Sequence, residues 1–124
     1  YNLGVNYLGL DYGAAKIGVA LATGPLAEPL ITIKTEKALQ SIKLLLDKHN
    51  IDSIVVGDCP DNFLDKLSQL SIVYRVDETL SSYDARQALM HTTQKKRRNE
   101  EHAAAAAIIL QNWLDASTGA QHQS

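Results

Sequence analysis

The chain has 124 residues, room for one domain, and its 45% hydrophobic and 21% charged content is that of a globular protein. Its single cysteine, Cys59, excludes an internal disulfide frame, and the net charge of −2 excludes a basic field over the whole surface. No apolar run approaches the roughly 20 residues of a membrane span, and the start YNLGVNYLGL lacks the charged region of a signal peptide, so the expected setting is cytoplasmic.

The first third of the chain reads as strands. NYLGLD (6–11) is apolar and ends at the turn signal Tyr12-Gly13-Ala14-Ala15, after which IGVALA (17–22) forms the second arm of a hairpin. A third strand, LITIK (30–34), follows the breakers Gly24-Pro25 and Pro29. The period then changes: Ala38, Ile42, Leu45, Leu46 and His49 recur at helical spacing, which predicts an amphipathic helix over 36–50.

SIVVG (53–57) has the uniform apolarity of a buried parallel strand. A short helix is expected over 63–70, a strand over 72–76, a helix over 82–90, a polar loop over 91–99 and a strong final helix over 100–115. The order βββαβαβαα implies three antiparallel strands followed by parallel crossovers, giving an α/β domain with a mixed five-stranded sheet flanked by helices. One domain is expected over 1–116, with 117–124 as a flexible C-terminal tail.

Two acidic positions stand out. Asp11 ends an apolar strand, where it could simply cap the turn. Asp77-Glu78 ends another apolar run, IVYRVDE, so Asp11 and Glu78 converge if their strands are neighbours. Two carboxylates in one crevice repel each other, and Mg²⁺ or Mn²⁺, which favour oxygen ligands, would relieve that repulsion. Such ions activate water and stabilise the leaving oxygen in phosphodiester cleavage. Lys95, Lys96, Arg97 and Arg98 form a contiguous basic run that is either a solvated loop or a local grip on phosphates.

The blocks LGLDYGAAKIGVAL, IVVGDCP, VDETLSSYDAR and AAAAAIILQNWLD, in this order and spacing, resemble the YqgF/RuvX family of Holliday-junction resolvases. The resemblance spans nearly the whole chain, and its first and last blocks are the specific ones. It implies a ribonuclease H-like fold and a nuclease whose strand-tip carboxylates and a third ligand on the C-terminal helix hold metal. The family is also associated with processing the 5′ end of precursor 16S ribosomal RNA.

Several positions depart from the family pattern. One of two basic residues ahead of Ile17-Gly18-Val19-Ala20 is lost, leaving Lys16; the family's Val-Gly-Leu-Pro is Val56-Gly57-Asp58-Cys59-Pro60; the loop and helix that follow are shortened. An arginine after Asp77-Glu78 is replaced by Thr79, and the Asp of the last helix falls on His102.

Helical spacing puts His102, Ala106, Ile109 and Trp113 on one stripe beside Ala103, Ala107, Leu110 and Leu114, the expected buried face. His102 then opens the inward face and can act as an imidazole ligand, which suits Mn²⁺ better than Mg²⁺. Glu101, about 100° round the helix, can reach the same place, or can serve only as a first-turn acid favoured by the helix dipole.

The expected activity is metal-dependent cleavage of structured RNA or branched DNA. Asp11, Glu78 and His102 would be the metal ligands, Glu101 a further catalytic candidate, and Lys16 and Lys95 to Arg98 the phosphate contacts. A binding or ribosome-assembly module with a degenerate site on the same fold is the alternative. A junction with two strands to cut makes a homodimer the expected assembly.

Overall fold

The computed structural model describes residues 5–76 and 98–123, with side chains described for 5–76 and 102–116. Strands β1 (Tyr7–Asp11), β2 (Lys16–Ala22) and β3 (Ala27–Lys34) lead into a 3₁₀ turn (Thr35–Lys37) and helix α1 (Ala38–Lys48). Strand β4 (Ser53–Val56), helix α2 (Asp61–Leu70), strand β5 (Ile72–Arg75) and helix α3 (Arg98–Gln123) complete the described elements. The helix expected over 82–90 and residues 91–97 of the loop expected over 91–99 lie outside the described residues, while Arg98 and Asn99 belong to helix α3. Helix α3 runs well past Asp115, through most of the segment expected as a tail.

The sheet has the order β3-β2-β1-β4-β5. Pairing is antiparallel for β1–β2 and β2–β3, and parallel for β1–β4 and β4–β5, as expected for a hairpin meander followed by helical crossovers. The β2–β3 register shifts between Val19 and Ala20, opposite Pro29, which has no N–H to give to the ladder. Strands β1 and β4 are buried throughout, whereas β5 is an exposed edge.

Strand alternation divides the core in two. Leu8, Leu10, Ile17, Val19, Ile54 and Val56 face one way and pack with Ile42 of α1 and Phe63 and Leu67 of α2. Tyr7, Ala20, Ala22 and Val55 face the other way and pack with Ala106, Ala107, Ile109, Leu110 and Leu114 of α3. Trp113 is half-buried on that side, with its ring centroid 5.0 Å from those of both Tyr7 and Tyr74. Burial, with the nearby Tyr74 and Asp52, pushes the Tyr7 phenol above its usual range.

Side-chain hydrogen bonds tie the connections to these layers. Asn6 donates from its amide side chain to the carbonyls of His49 and Asn50, both at 3.1 Å, at the end of α1. Asn50 has φ 52°, a left-handed conformation that asparagine tolerates after a helix. Gln111 of α3 accepts from the Ala27 N–H at 2.8 Å and donates to the Pro25 carbonyl at 2.9 Å, fastening the β2–β3 connection to the helix. Among the described residues, no helix is long and apolar enough to cross a membrane.

Candidate active site

The three parallel strands β1, β4 and β5 end at one edge of the sheet, the side on which α/β folds place ligands. Asp11 is the last residue of β1 and, sharing parity with Tyr7 and Gly9, projects on the α3 side. It is 4% exposed, and a carboxylate so buried requires polar or cationic company.

Glycines determine how closely α3 approaches that carboxylate. A Cβ on Gly9 would lie 2.8 Å from Leu110 Cβ and 3.0 Å from the Ala106 carbonyl oxygen. On Gly18 it would collide with the His102 carbonyl. Gly18 is the ladder partner of Asp11, so the first inward turn of α3 is seated on the residue beside the carboxylate. The alanines at 103, 106 and 107 complete this close helix-to-sheet contact.

The result is a pair that is remote in sequence. His102 Nδ1 lies 3.7 Å from Asp11 Oδ2, with the imidazole side chain 37% exposed and the carboxylate side chain 6% exposed. The spacing is too long for a hydrogen bond. It is shorter than twice a typical metal–ligand distance, about 4.2 Å, so one ion can touch both atoms. Among the described residues, no group of three or more His, Cys, Asp and Glu side chains is gathered to hold a metal.

The turn between β1 and β2 closes the site from outside. A Cβ on Gly13 would run into the Lys16 carbonyl and would stand 3.6 Å from His102 Cε1, so only glycine leaves this turn its path. The turn is held by Thr35, whose hydroxyl donates to the Gly13 carbonyl at 2.7 Å and whose N–H donates to the Ala15 carbonyl at 3.0 Å. Lys16 opens β2, half-buried, two residues before Gly18 and so on the same face as Asp11.

The strands that lead to Asp11 and toward Glu78 are not neighbours. β4 stands between β1 and β5, so the end of β5 is two strands, about 10 Å, from Asp11. The intervening position is Gly57, whose N–H donates to the Leu10 carbonyl at 3.3 Å, and glycine carries no side chain to block the way. Val76, beyond Arg75, donates its N–H to the Val56 carbonyl at 2.8 Å and ends the described part of this segment.

Glu78, Lys95, Lys96 and Arg97 lie outside the described residues. Glu101 and Arg98 are placed on the first turns of α3 by their backbone alone. Of the expected site residues, the structure thus brings together Asp11 and His102, with Lys16 at the same edge.

The alanine run 103–107 reads in the sequence as a close helix-to-sheet packing surface, but Gly9 and Gly18 as its seat and the bracing by Thr35 and Gln111 went unread. Glycines two residues before Asp11 and two after Lys16, matched against the alanine run 103–107, were the available signal for the seat. Arg75 also reaches this edge, 3.7 Å from Asp58, but the side chains are 48% and 61% exposed, so the pair stabilises little.

Comparison with known proteins agrees on family and fold. The RuvX family, described as Holliday junction resolvase, matches residues 5–63 and 59–116. A protein of Halothermothrix orenii described as "Putative pre-16S rRNA nuclease" is 34% identical over 104 residues, covering 67% of this chain and 74% of that protein. Among solved structures, Thermus thermophilus RuvC in complex with a Holliday junction substrate superposes with a TM-score of 0.56 at 16% identity, covering 93% of this chain and 96% of that one. A second Thermus thermophilus RuvC structure gives a TM-score of 0.53 at 13% identity, covering 93% and 97%. The α/β architecture is therefore ribonuclease H-like, as the order of elements implied.

Proposed function

Because the chain belongs to the RuvX family of Holliday junction resolvases, we propose that it is a metal-dependent nuclease that hydrolyses phosphodiester bonds in structured nucleic acid at the Asp11 edge of its sheet. The observation that carries this reading is the Asp11–His102 pair, a buried carboxylate and a half-exposed imidazole 3.7 Å apart at the ligand-binding edge of an α/β sheet.

The donor set fits a divalent cation. Asp11 would supply an anionic oxygen and His102 a neutral nitrogen, a mixture that admits Mn²⁺ more readily than Mg²⁺. Glu78, two residues beyond Val76, and Glu101, beside His102 in sequence, are the acids proposed to complete the set. A bound divalent ion would lower the pKa of water and neutralise charge on the scissile phosphate.

The chain's own groups do the remaining work. Asp11, held rigidly on a strand buried on both sides, orients whatever binds there. Lys16 meets a phosphate from the same face, and Lys95 to Arg98 supply sequence-independent contacts just ahead of α3. The tight seating of α3 keeps bulk water from the inner side of the carboxylate, where charge interactions are stronger.

Two substrates are proposed, the 5′ end of precursor 16S ribosomal RNA and branched DNA. The description of the Halothermothrix orenii relative names precursor 16S ribosomal RNA, though not its 5′ end, and a Holliday junction is the substrate in the RuvC complex. Both suit a cytoplasmic protein, and a homodimer would present a site to each of two junction strands. The test is cleavage of both substrates with Mg²⁺ or Mn²⁺, comparing the native chain with Asp11→Asn. Metal-dependent products from the native chain alone are expected. Absence of cleavage under every condition, with binding intact, overturns the reading.

A further inference from the structure

On the opposite face of the sheet from Asp11, the same edge carries an open groove of about 400 Å³ between the start of α1 and the start of α2. Its inner wall includes Tyr12 and Phe63, whose ring centroids are 4.9 Å apart. Its rim carries the cations Lys37 and Lys66 and the amides Gln40 and Asn62, all four exposed. Glu36 is the one acid in the lining, so the rim is positive by one charge.

We propose that this groove binds one nucleotide of a single nucleic-acid strand that passes over the Asp11 edge. Tyr12 immediately follows Asp11, so one backbone step separates the carboxylate from the groove wall. The size falls within the range of small-ligand sites, about 300–1,000 Å³. The lining divides as a nucleotide does: an aromatic wall for the base, amides for polar edges, and two exposed ammonium groups for phosphate. The two lysines come from different elements, Lys37 from the 3₁₀ turn before α1 and Lys66 from α2.

The floor is also rigid. Thr35 ties the start of α1 to the β1–β2 turn through its bonds to Gly13 and Ala15, at 2.7 and 3.0 Å. A strand held in the groove would therefore be positioned relative to Asp11 through two hydrogen bonds. The proposal depends on the nuclease reading only in taking nucleic acid as the ligand.

The experiment measures binding of a 5′-labelled single-stranded RNA decamer in EDTA, where metal-dependent cleavage is silent, over a series of salt concentrations. The double variant Lys37→Glu/Lys66→Glu is expected to weaken binding at least tenfold. It should also flatten the dependence of log K on log salt by about 1.4, or about 0.7 for each lost phosphate contact. Lys37→Arg/Lys66→Arg should bind within about threefold of the native chain, and Lys48→Glu, an exposed change at the far end of α1, within about twofold.

Thermal melting checks that each variant folds, and Lys37→Gln/Lys66→Gln replaces the double glutamate if it does not. Unchanged binding in the groove variants, an equal loss in Lys48→Glu, or no binding by the native chain overturns the proposal. Mn²⁺-dependent cleavage by the native chain is scored separately: its absence counts against the nuclease reading, whereas the charge-reversal results bear on the groove.

Discussion

The two faces of the sheet are packed by opposite means. Toward α1 and α2, β1, β2 and β4 present large side chains, Leu8, Leu10, Ile17, Val19, Ile54 and Val56. Toward α3 they present Gly9, Gly18, Ala20 and Ala22 beside the larger Tyr7 and Val55, met by Ala106, Ala107, Ile109, Leu110 and Leu114 of the helix. The first face, with large aliphatic side chains at each of these strand positions, buries more apolar surface per strand residue. The second gives up that area for proximity, letting a helix backbone sit directly on the sheet and deliver His102 to Asp11. Precision at this site is built from the small residues Gly9 and Gly18, while Ile109, Leu110 and Leu114 further along α3 bury apolar side chains on the same face.

That division can be broken in order of expected effect. Asp11→Asn should lower the Mn²⁺-dependent cleavage rate about a thousandfold, equivalent to about 4 kcal/mol of barrier, in single-turnover assays, with nucleic-acid binding retained. Ile54→Ala, on the large-residue face, should cost about 2–5 kcal/mol in urea unfolding yet leave Mn²⁺ affinity within about twofold.

Gly18→Ala reverses the pattern. It should cost about 1–3 kcal/mol because α3 must shift, and it should weaken Mn²⁺ binding about tenfold by calorimetry as His102 leaves its place. If Gly18→Ala destabilises the fold while leaving Mn²⁺ affinity unchanged, the close face does not position the site. Gln111→Ala should remove about 1 kcal/mol by losing its bonds to the β2–β3 connection, with little change in cleavage.

Period and turn chemistry were enough to read much of the fold. The apolar runs NYLGLD and IGVALA, closely spaced across the Gly13 turn, announced the hairpin, and the apolar run SIVVG announced a strand buried on both sides. Such signals are local, because a strand or helix shows its period in its own few residues. The extension of the third strand back to Ala27 was not readable, since Pro29 argues against a strand and only the edge position with its register shift accommodates it.

The sequence by itself determined which residues could carry chemistry. Asp11 closes an apolar strand, and the helical stripe through His102, Ala106 and Ile109 marked the face that α3 turns to the sheet, where Ala106 and Ile109 are buried and His102 is half-exposed. Only the tertiary structure decided which of them meet. The 3.7 Å between Asp11 and His102 depends on a helix settling onto Gly9 and Gly18, and the insertion of β4 between β1 and β5 sets how far any acid beyond Val76 must reach. Both are contacts between segments far apart along the chain. They are set by side-chain volume and strand order, quantities that leave no period in the sequence.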